Sequence, residues 1–188
     1  MYAKLDTEFH FDWDVAANTA NHLVVQSGDH ADDARRWFGP GAEHEDGLAV
    51  DWAQQLRYVA RRPGSDPPRP PTLFMNPPYS KEEGLLIEPW LQKAWRESAR
   101  GCTVVGVIPY NPQTAAFREY AWGEGTEHAA MELRILSHRV DFLRGDGSKA
   151  DNAPGNTCVV IWKPNPGYVD VWQPVVRYWS YREGAVYA

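Results

Sequence analysis

Two short apolar runs constrain this chain more than any other feature. Residues 102–109, CTVVGVIP, are apolar almost without a break, and residues 71–75, PTLFM, are nearly as uniform. A strand with one wet face alternates apolar and polar residues, whereas a strand covered on both faces does not. Between the two runs the periodicity is helical. Pro89 suits a first turn, Leu91, Ala94, Trp95 and Ser98 share one face, and Gly101 is placed to close the helix. Buried strand, helix, buried strand predicts an α/β fold with a mostly parallel central sheet.

The rest of the chain extends that pattern. Residues 9–17, FHFDWDVAA, read as a strand running into a loop. Residues 28–47 are polar, with a short helix expected at 31–37, and Val50, Leu56 and Val59 give helical spacing over 48–61. Five prolines between Pro63 and Pro71 predict an extended connector. A further short helix is expected at 113–122, one or two strands at 131–143 and another at 156–164. The aromatic tail, 165–188, with Trp172, Tyr178, Trp179 and Tyr181, is expected to pack back on the domain. With 188 residues, 43% of them hydrophobic, the chain suits one domain with a sizeable core. Cys102 and Cys158 sit in apolar runs and are expected as buried thiols. No apolar stretch is long enough to span a membrane and no signal peptide opens the chain, so a cytoplasmic location is expected.

Charge narrows the class of partner. The formal net charge of −6 excludes a protein that simply coats nucleic acid. The acidic excess lies in the first 50 residues, which hold 10 acids and 3 bases. Contacts to a polyanion are therefore expected from Arg134, His138, Arg139, Arg144 and Lys149.

The tetrapeptide Asn76-Pro77-Pro78-Tyr79 follows the 71–75 run directly, at the strand end where ligands gather in such sheets. An exocyclic base amine is a poor nucleophile because its lone pair is delocalised into the ring. Two acceptors, the Asn76 amide oxygen and the Pro77 carbonyl, can orient it. The two prolines stiffen the turn, and Pro77 keeps Asn76 out of the helical region. Tyr79 offers a face on which a flipped base stacks. As a bare tetrapeptide the motif also reads as a plain turn after a strand. Asp14, at the end of the 9–17 run beside the small Ala16 and Ala17, can accept from a cofactor ammonium or ribose, or can simply cap a turn. Asp46 can accept a cofactor amine while Leu48 or Trp52 packs on its ring, or can cap the 48–61 helix. Phosphate loops, dinucleotide fingerprints, zinc spacings and hydrolase elbows are absent from the sequence, and no metal site is expected.

In combination and in order, EFHFDWDVAAN (8–18), RRWFGP (35–40), EDGLAVDW (45–52), LFMNPPYS (73–80), VVGVIPYNPQTAAF (104–117), RILSHRVDF (134–142) and CVVIW (158–162) resemble the phage-type DNA N6-adenine methyltransferases. The resemblance implies a minimal, Rossmann-like, S-adenosylmethionine-dependent fold of one domain. It also implies double-stranded DNA as substrate, a phage or prophage origin acting in bacterial cytoplasm, and a monomer or homodimer. Asp14 and Ala16 would meet the methionine or ribose portion of the cofactor, and Asp46, Leu48 and Trp52 its adenine. Asn76, Pro77, Pro78 and Tyr79 would hold the target base, with Asn76 also bordering the cofactor; Ser80 would face DNA, and Arg139 would face DNA or support the sheet. Pro109 and Thr114 fall in a segment near the active site. Family members carry a Trp-x-Thr-Pro segment upstream of the Leu5–Phe9 helix that has no counterpart in this sequence, and Ala16 stands where Cys is common. Cytosine N4 is the nearest alternative target, and a non-catalytic nucleic-acid-binding remnant of the same fold is the alternative of a different class.

Overall fold

Side chains along the apolar runs alternate between two cores, and that alternation sets the architecture. The computed structural model describes residues 1–19, 21–23, 36–56, 69–78, 86–126, 129–140, 156–164 and 173–182. In it the runs form β2 (Thr72–Met75) and β3 (Thr103–Pro109). Together with β1 (Trp13–Asp14), β4 (Glu132–Leu136), β5 (Thr157–Trp162) and β6 (Val175–Trp179), they make a sheet in the order β1-β2-β3-β5-β4-β6. Pairs β1–β2, β2–β3 and β4–β6 are parallel, whereas β5 is antiparallel to both β3 and β4. The sheet is therefore mixed, with β5 alone reversed.

Leu73, Met75, Val104, Ile108, Cys158, Val160 and Trp162 enter one core. That core also takes residues of α2 (Trp52–Leu56), α3 (Glu88–Ala99) and α4 (Ala115–Tyr120). Phe74, Val105, Val107, Val159 and Ile161, the residues between, enter the other core against Leu5 of α1 (Tyr2–Phe9) and Phe11. Period-two alternation with both faces covered is why these strands look uniformly apolar in sequence. The helix expected from Pro89 is α3, and Gly101 follows it with φ 109°. The Thr114 hydroxyl caps α4 by accepting from the Phe117 N–H at 3.4 Å.

Several expectations are corrected. The 9–17 run yields only the two-residue β1, because α1 occupies the chain up to Phe9. The helix expected from residue 48 begins at Trp52, where Asp51 Oδ1 accepts from the Gln54 N–H at 2.9 Å, so Asp51 rather than Asp46 caps it. The aromatic tail contributes β6, the outermost strand, on which Val175, Val176, Arg177 and Tyr178 stay exposed. Of the 63–71 connector only 69–71 are described. There Arg69 pairs with Asp12 at 2.7 Å and ties the start of β2 to β1. Of the helix expected at 31–37, Trp37 instead forms an isolated β-bridge with Asp14; residues 31–35, 57–61, strand positions 141–143 and tail residues 165–172 and 183–188 lie outside the described residues. Cys102 and Cys158 are free, buried thiols, and burial pushes Cys102 up to about 12. Among the described residues no helix is long and apolar enough to cross a membrane.

Candidate active site

Because β1, β2 and β3 run in the same direction, their carboxyl ends share one edge of the sheet. Asp14 pairs in register with Phe74, and the Val15 N–H donates to the Phe74 carbonyl at 2.9 Å. Asn76, two residues beyond Phe74, thus stands just past the end of β2, at the edge where the neighbouring β1 also ends. Asn76 is half-buried, Pro77 buried and Pro78 exposed. The Asn76 amide makes no hydrogen bond to any described residue. An amide held at a strand end by two following prolines, with its acceptor uncommitted, is available to a ligand. On β3, Pro109 ends the strand, and the Tyr110 N–H donates to Asn156 at 3.0 Å. Tyr79 and Ser80 lie outside the described residues.

The two aspartates flanking Trp13 have opposite surroundings. Asp12, at the amino end of the sheet, is neutralised by Arg69. Asp14, at the carboxyl end, is 2% exposed and has no cationic side chain beside it among the described residues. Its Oδ1 accepts from the Ala16 N–H at 3.3 Å and its Oδ2 from the Leu23 N–H at 3.2 Å. Desolvation outweighs both bonds and pushes its carboxyl up to about 7. A buried carboxylate without a counter-charge is a ready partner for a cationic ligand. The turn lying over it is fixed by His22, whose ring stacks on Trp37 at 4.1 Å.

A second segment, 36–48, is laid directly on the backbone of residues 15–17. The Asp14 N–H donates to the Arg36 carbonyl and the Phe38 N–H to the Asp14 carbonyl, bridging Trp37, and the Ala17 N–H donates to the Phe38 carbonyl. The approach needs glycine at two points. A Cβ on Gly39, whose φ is 136°, would sit 1.9 Å from the Ala17 oxygen, and one on Gly47 would sit 2.2 Å from the Val15 oxygen. Gly47→Ala must therefore displace one backbone from the other. It is expected to cost ~1–3 kcal/mol, read as a fall of several degrees in the melting temperature by circular dichroism; an unchanged melting temperature would refute the tight approach.

This packing brings Asp46 and Leu48 beside the Asp14–Ala16 backbone. Asp46 is exposed and turns its Oδ1 onto the Leu48 N–H at 2.9 Å. It also lines a depression of about 670 Å³ with Glu43, His44, Glu45, Val50 and Gln54, which neither Asp14 nor Asn76 lines. Trp52 has no exposed surface and so no ring face for a ligand. Its indole N–H instead donates to the Gly47 carbonyl at 2.8 Å and props the 46–48 turn from below. Glu97 adds to that support and had no signal in the sequence beyond an acid on the apolar face of a helix. It is fully buried, accepts from the Ala53 N–H at 2.9 Å and pairs with Lys93 at 2.8 Å.

Arg134 is corrected most plainly among the residues expected to face a polyanion. It is 6% exposed, donates to both carboxylate oxygens of Glu8 and to Glu132 at 2.9 Å, and lies against the rings of Phe9 and Trp179 at 5.3 and 5.4 Å. It locks α1 to β4 and β6 and is not presented to solvent. Arg139 is exposed and His138 half-buried, both just beyond β4 at the same edge as Asn76. Arg144 and Lys149 lie outside the described residues. No protein-family model and no curated protein matches the chain.

Proposed function

We propose that this chain transfers a methyl group from S-adenosylmethionine to the N6 amine of adenine in double-stranded DNA, on a Rossmann-like methyltransferase fold. The reading is carried by one juxtaposition: the uncommitted Asn76 amide, followed by Pro77 and Pro78 just past β2, and the buried Asp14, with no cationic side chain beside it among the described residues, at the end of the adjacent parallel β1. The donor set fits the cofactor. Asp14 supplies the negative charge that its ammonium or ribose hydroxyls require, Ala16 leaves room for close approach, and Asp46 and Leu48 supply an acceptor and an apolar surface for its adenine.

Bound there, S-adenosylmethionine supplies an electrophilic methyl group on a cationic sulfur. The Asn76 side-chain oxygen and the Pro77 carbonyl accept the two hydrogens of the target amine. They turn its lone pair out of conjugation and toward the methyl carbon. The new nitrogen–carbon bond forms as the carbon–sulfur bond breaks, the electron pair stays on sulfur, and the surplus proton leaves the nitrogen for solvent. No covalent intermediate with the chain is needed. The acceptors face the nitrogen where positive charge develops, and they are in place before the reaction begins.

The decisive experiment is transfer of labelled methyl from S-adenosylmethionine to unmethylated duplex DNA, followed by nucleoside digestion and mass spectrometry. N6-methyladenine is the expected product. N4-methylcytosine would overturn the base assignment while keeping the acceptor geometry, and absence of any methylated nucleoside would overturn the function.

A further inference from the structure

Trp52 and Trp162 have no exposed surface, and each donates its indole N–H to a backbone carbonyl, Gly47 at 2.8 Å and Tyr120 at 2.7 Å. Trp37 is 4% exposed, yet its indole N–H has no hydrogen-bond partner among the described residues. An indole nitrogen can only donate, and a buried donor left unpaired costs ~1–3 kcal/mol. Its neighbour is the buried Asp14. Trp13 pairs with Leu73, which enters the core of α2, α3 and α4, whereas Asp14 pairs with Phe74, which enters the core of α1. Asp14 therefore leaves the sheet on the α1 side. Trp37 is bridged to Asp14 in parallel, so the two side chains leave the same face, from backbones ~4.8 Å apart. The turn at 22–23 lies over both: the His22 ring stacks on Trp37, and the Leu23 N–H donates to Asp14. Tyr2 of α1, packed on Phe11 and Phe74, stands on the same side; burial and then the charges of Asp6 and Asp14 raise its hydroxyl. The half-buried Trp13 also has an unpaired indole N–H, but its ring packs on Phe38 in the opposite core.

We propose that Asp14 and Trp37 form a clamp for an α-amino-acid zwitterion, the methionine end of S-adenosylmethionine: the Asp14 carboxylate takes the ammonium, and the Trp37 indole N–H takes the carboxylate. The inference rests on the methyltransferase reading and adds which end of the cofactor meets Asp14. Asp14 is an acceptor with no cation beside it, and Trp37 is a donor with no acceptor, yet the two do not satisfy each other. A ligand that carries a cation and an anion on one carbon satisfies both at once. Ribose hydroxyls can bond to either group but bring no charge to offset the buried carboxylate. A ligand carboxylate placed beside Asp14 is repelled unless a donor receives it, and Trp37 is that donor. The His22 stack fixes the plane of the indole, so the donor is in place before the ligand arrives.

The test titrates two ligands calorimetrically into the whole protein and two variants. The ligands are S-adenosylmethionine and its decarboxylated form, which keeps the ammonium, the ribose and the sulfonium. The wild type is expected to bind S-adenosylmethionine ~10–100-fold more tightly, the range for a hydrogen bond to a charged group. Trp37→Phe keeps a ring against His22 and should bind the two ligands within about twofold of each other, with its affinity for the decarboxylated form close to that of the wild type. Asp14→Asn should weaken both ligands and keep the preference for the carboxylate, and it tests the clamp even where Trp37→Phe does not fold. Equal binding of the two ligands by the wild type, binding of neither, an undiminished preference in Trp37→Phe, or unweakened binding by Asp14→Asn would overturn the clamp. Methyl transfer to duplex DNA by a wild type that binds the two ligands equally would sink the clamp and keep the methyltransferase reading. A Trp37-dependent preference with no methylated nucleoside would support the clamp and sink that reading.

Discussion

Asn76→Ala is expected to lower methyl transfer to duplex DNA by ~10²–10³-fold, the range for loss of one pre-organised acceptor, while S-adenosylmethionine binds within about threefold of the wild type. The asymmetry follows from position. Asn76 stands at the end of β2, and its amide bonds no described residue, so truncation strands no buried donor or acceptor in the protein. The melting temperature should therefore barely move. The Pro77 carbonyl remains and holds the amine by one hydrogen only, which leaves the lone pair free to rotate back into conjugation. Single-turnover rates with labelled cofactor, set beside a calorimetric titration of cofactor alone, separate the two effects. Full turnover by the variant would remove Asn76 from the chemistry, and collapse of cofactor binding with transfer would reassign it to the cofactor.

Asp14→Asn should do the opposite in two respects: stabilise the free protein and weaken the cofactor. Burial raises the Asp14 carboxyl from 3.8 to about 7. A carboxyl raised on folding favours the folded state fully only below its unfolded value, and that contribution is lost as pH climbs from about 4 through about 7. Each pH unit of displacement is ~1.4 kcal/mol, so the ionisation cost above pH 7 exceeds the one backbone hydrogen bond that an amide gives up, ~1–3 kcal/mol. The melting-temperature advantage of the variant should grow from pH 4 to pH 7 and then level off. Cofactor affinity should fall by ~10–100-fold, the range for a hydrogen bond to a charged group. In the wild type a cationic ligand pulls the carboxyl back down, so binding near pH 6.5 releases a proton, and the titration enthalpy differs between phosphate and Tris buffers. The variant should show no such difference. A flat stability difference across pH would show that Asp14 ionises freely.

The parts of this fold legible in the sequence are those that bury both faces or keep a clean helical stripe. β2, β3, β5 and α3 need no tertiary information beyond their own residues. β6 was illegible because an edge strand with Val175, Val176, Arg177 and Tyr178 all exposed has no alternation to read. β1 was overestimated because FHFDWDVAA mixes a helix end, two strand residues and the loop that follows. The position of Asn76 just past β2 and of Asp14 at the end of β1 is legible from the apolar runs before them. Trp52 and Arg134 were misassigned because residue type does not reveal exposure: an indole next to a candidate ligand loop, and a guanidinium in a basic stretch, look the same whether they face solvent or the core. The glycines that permit close approach were also hidden. They form no run of their own, and Gly39 and Gly47 lie in a polar segment far along the chain from the backbone they touch.

The shortness of β1 has a consequence for how tightly any ligand is held. Val104–Pro109 of β3 pairs with β5 residue by residue, whereas β1 pairs in register with β2 only at Trp13 and Asp14 and has the single Trp37 bridge on its other side. Local opening of such a strand costs far less than global unfolding. To the extent that β1 opens, ligand binding at Asp14 is coupled to its closure, and the apparent affinity is the intrinsic one scaled by the fraction closed. Residues that touch no ligand can thus set affinity by setting that fraction. Trp52, which bonds the Gly47 carbonyl of the turn packed on β1, and Glu97, which holds the start of α2 through Ala53, are the residues placed to do so.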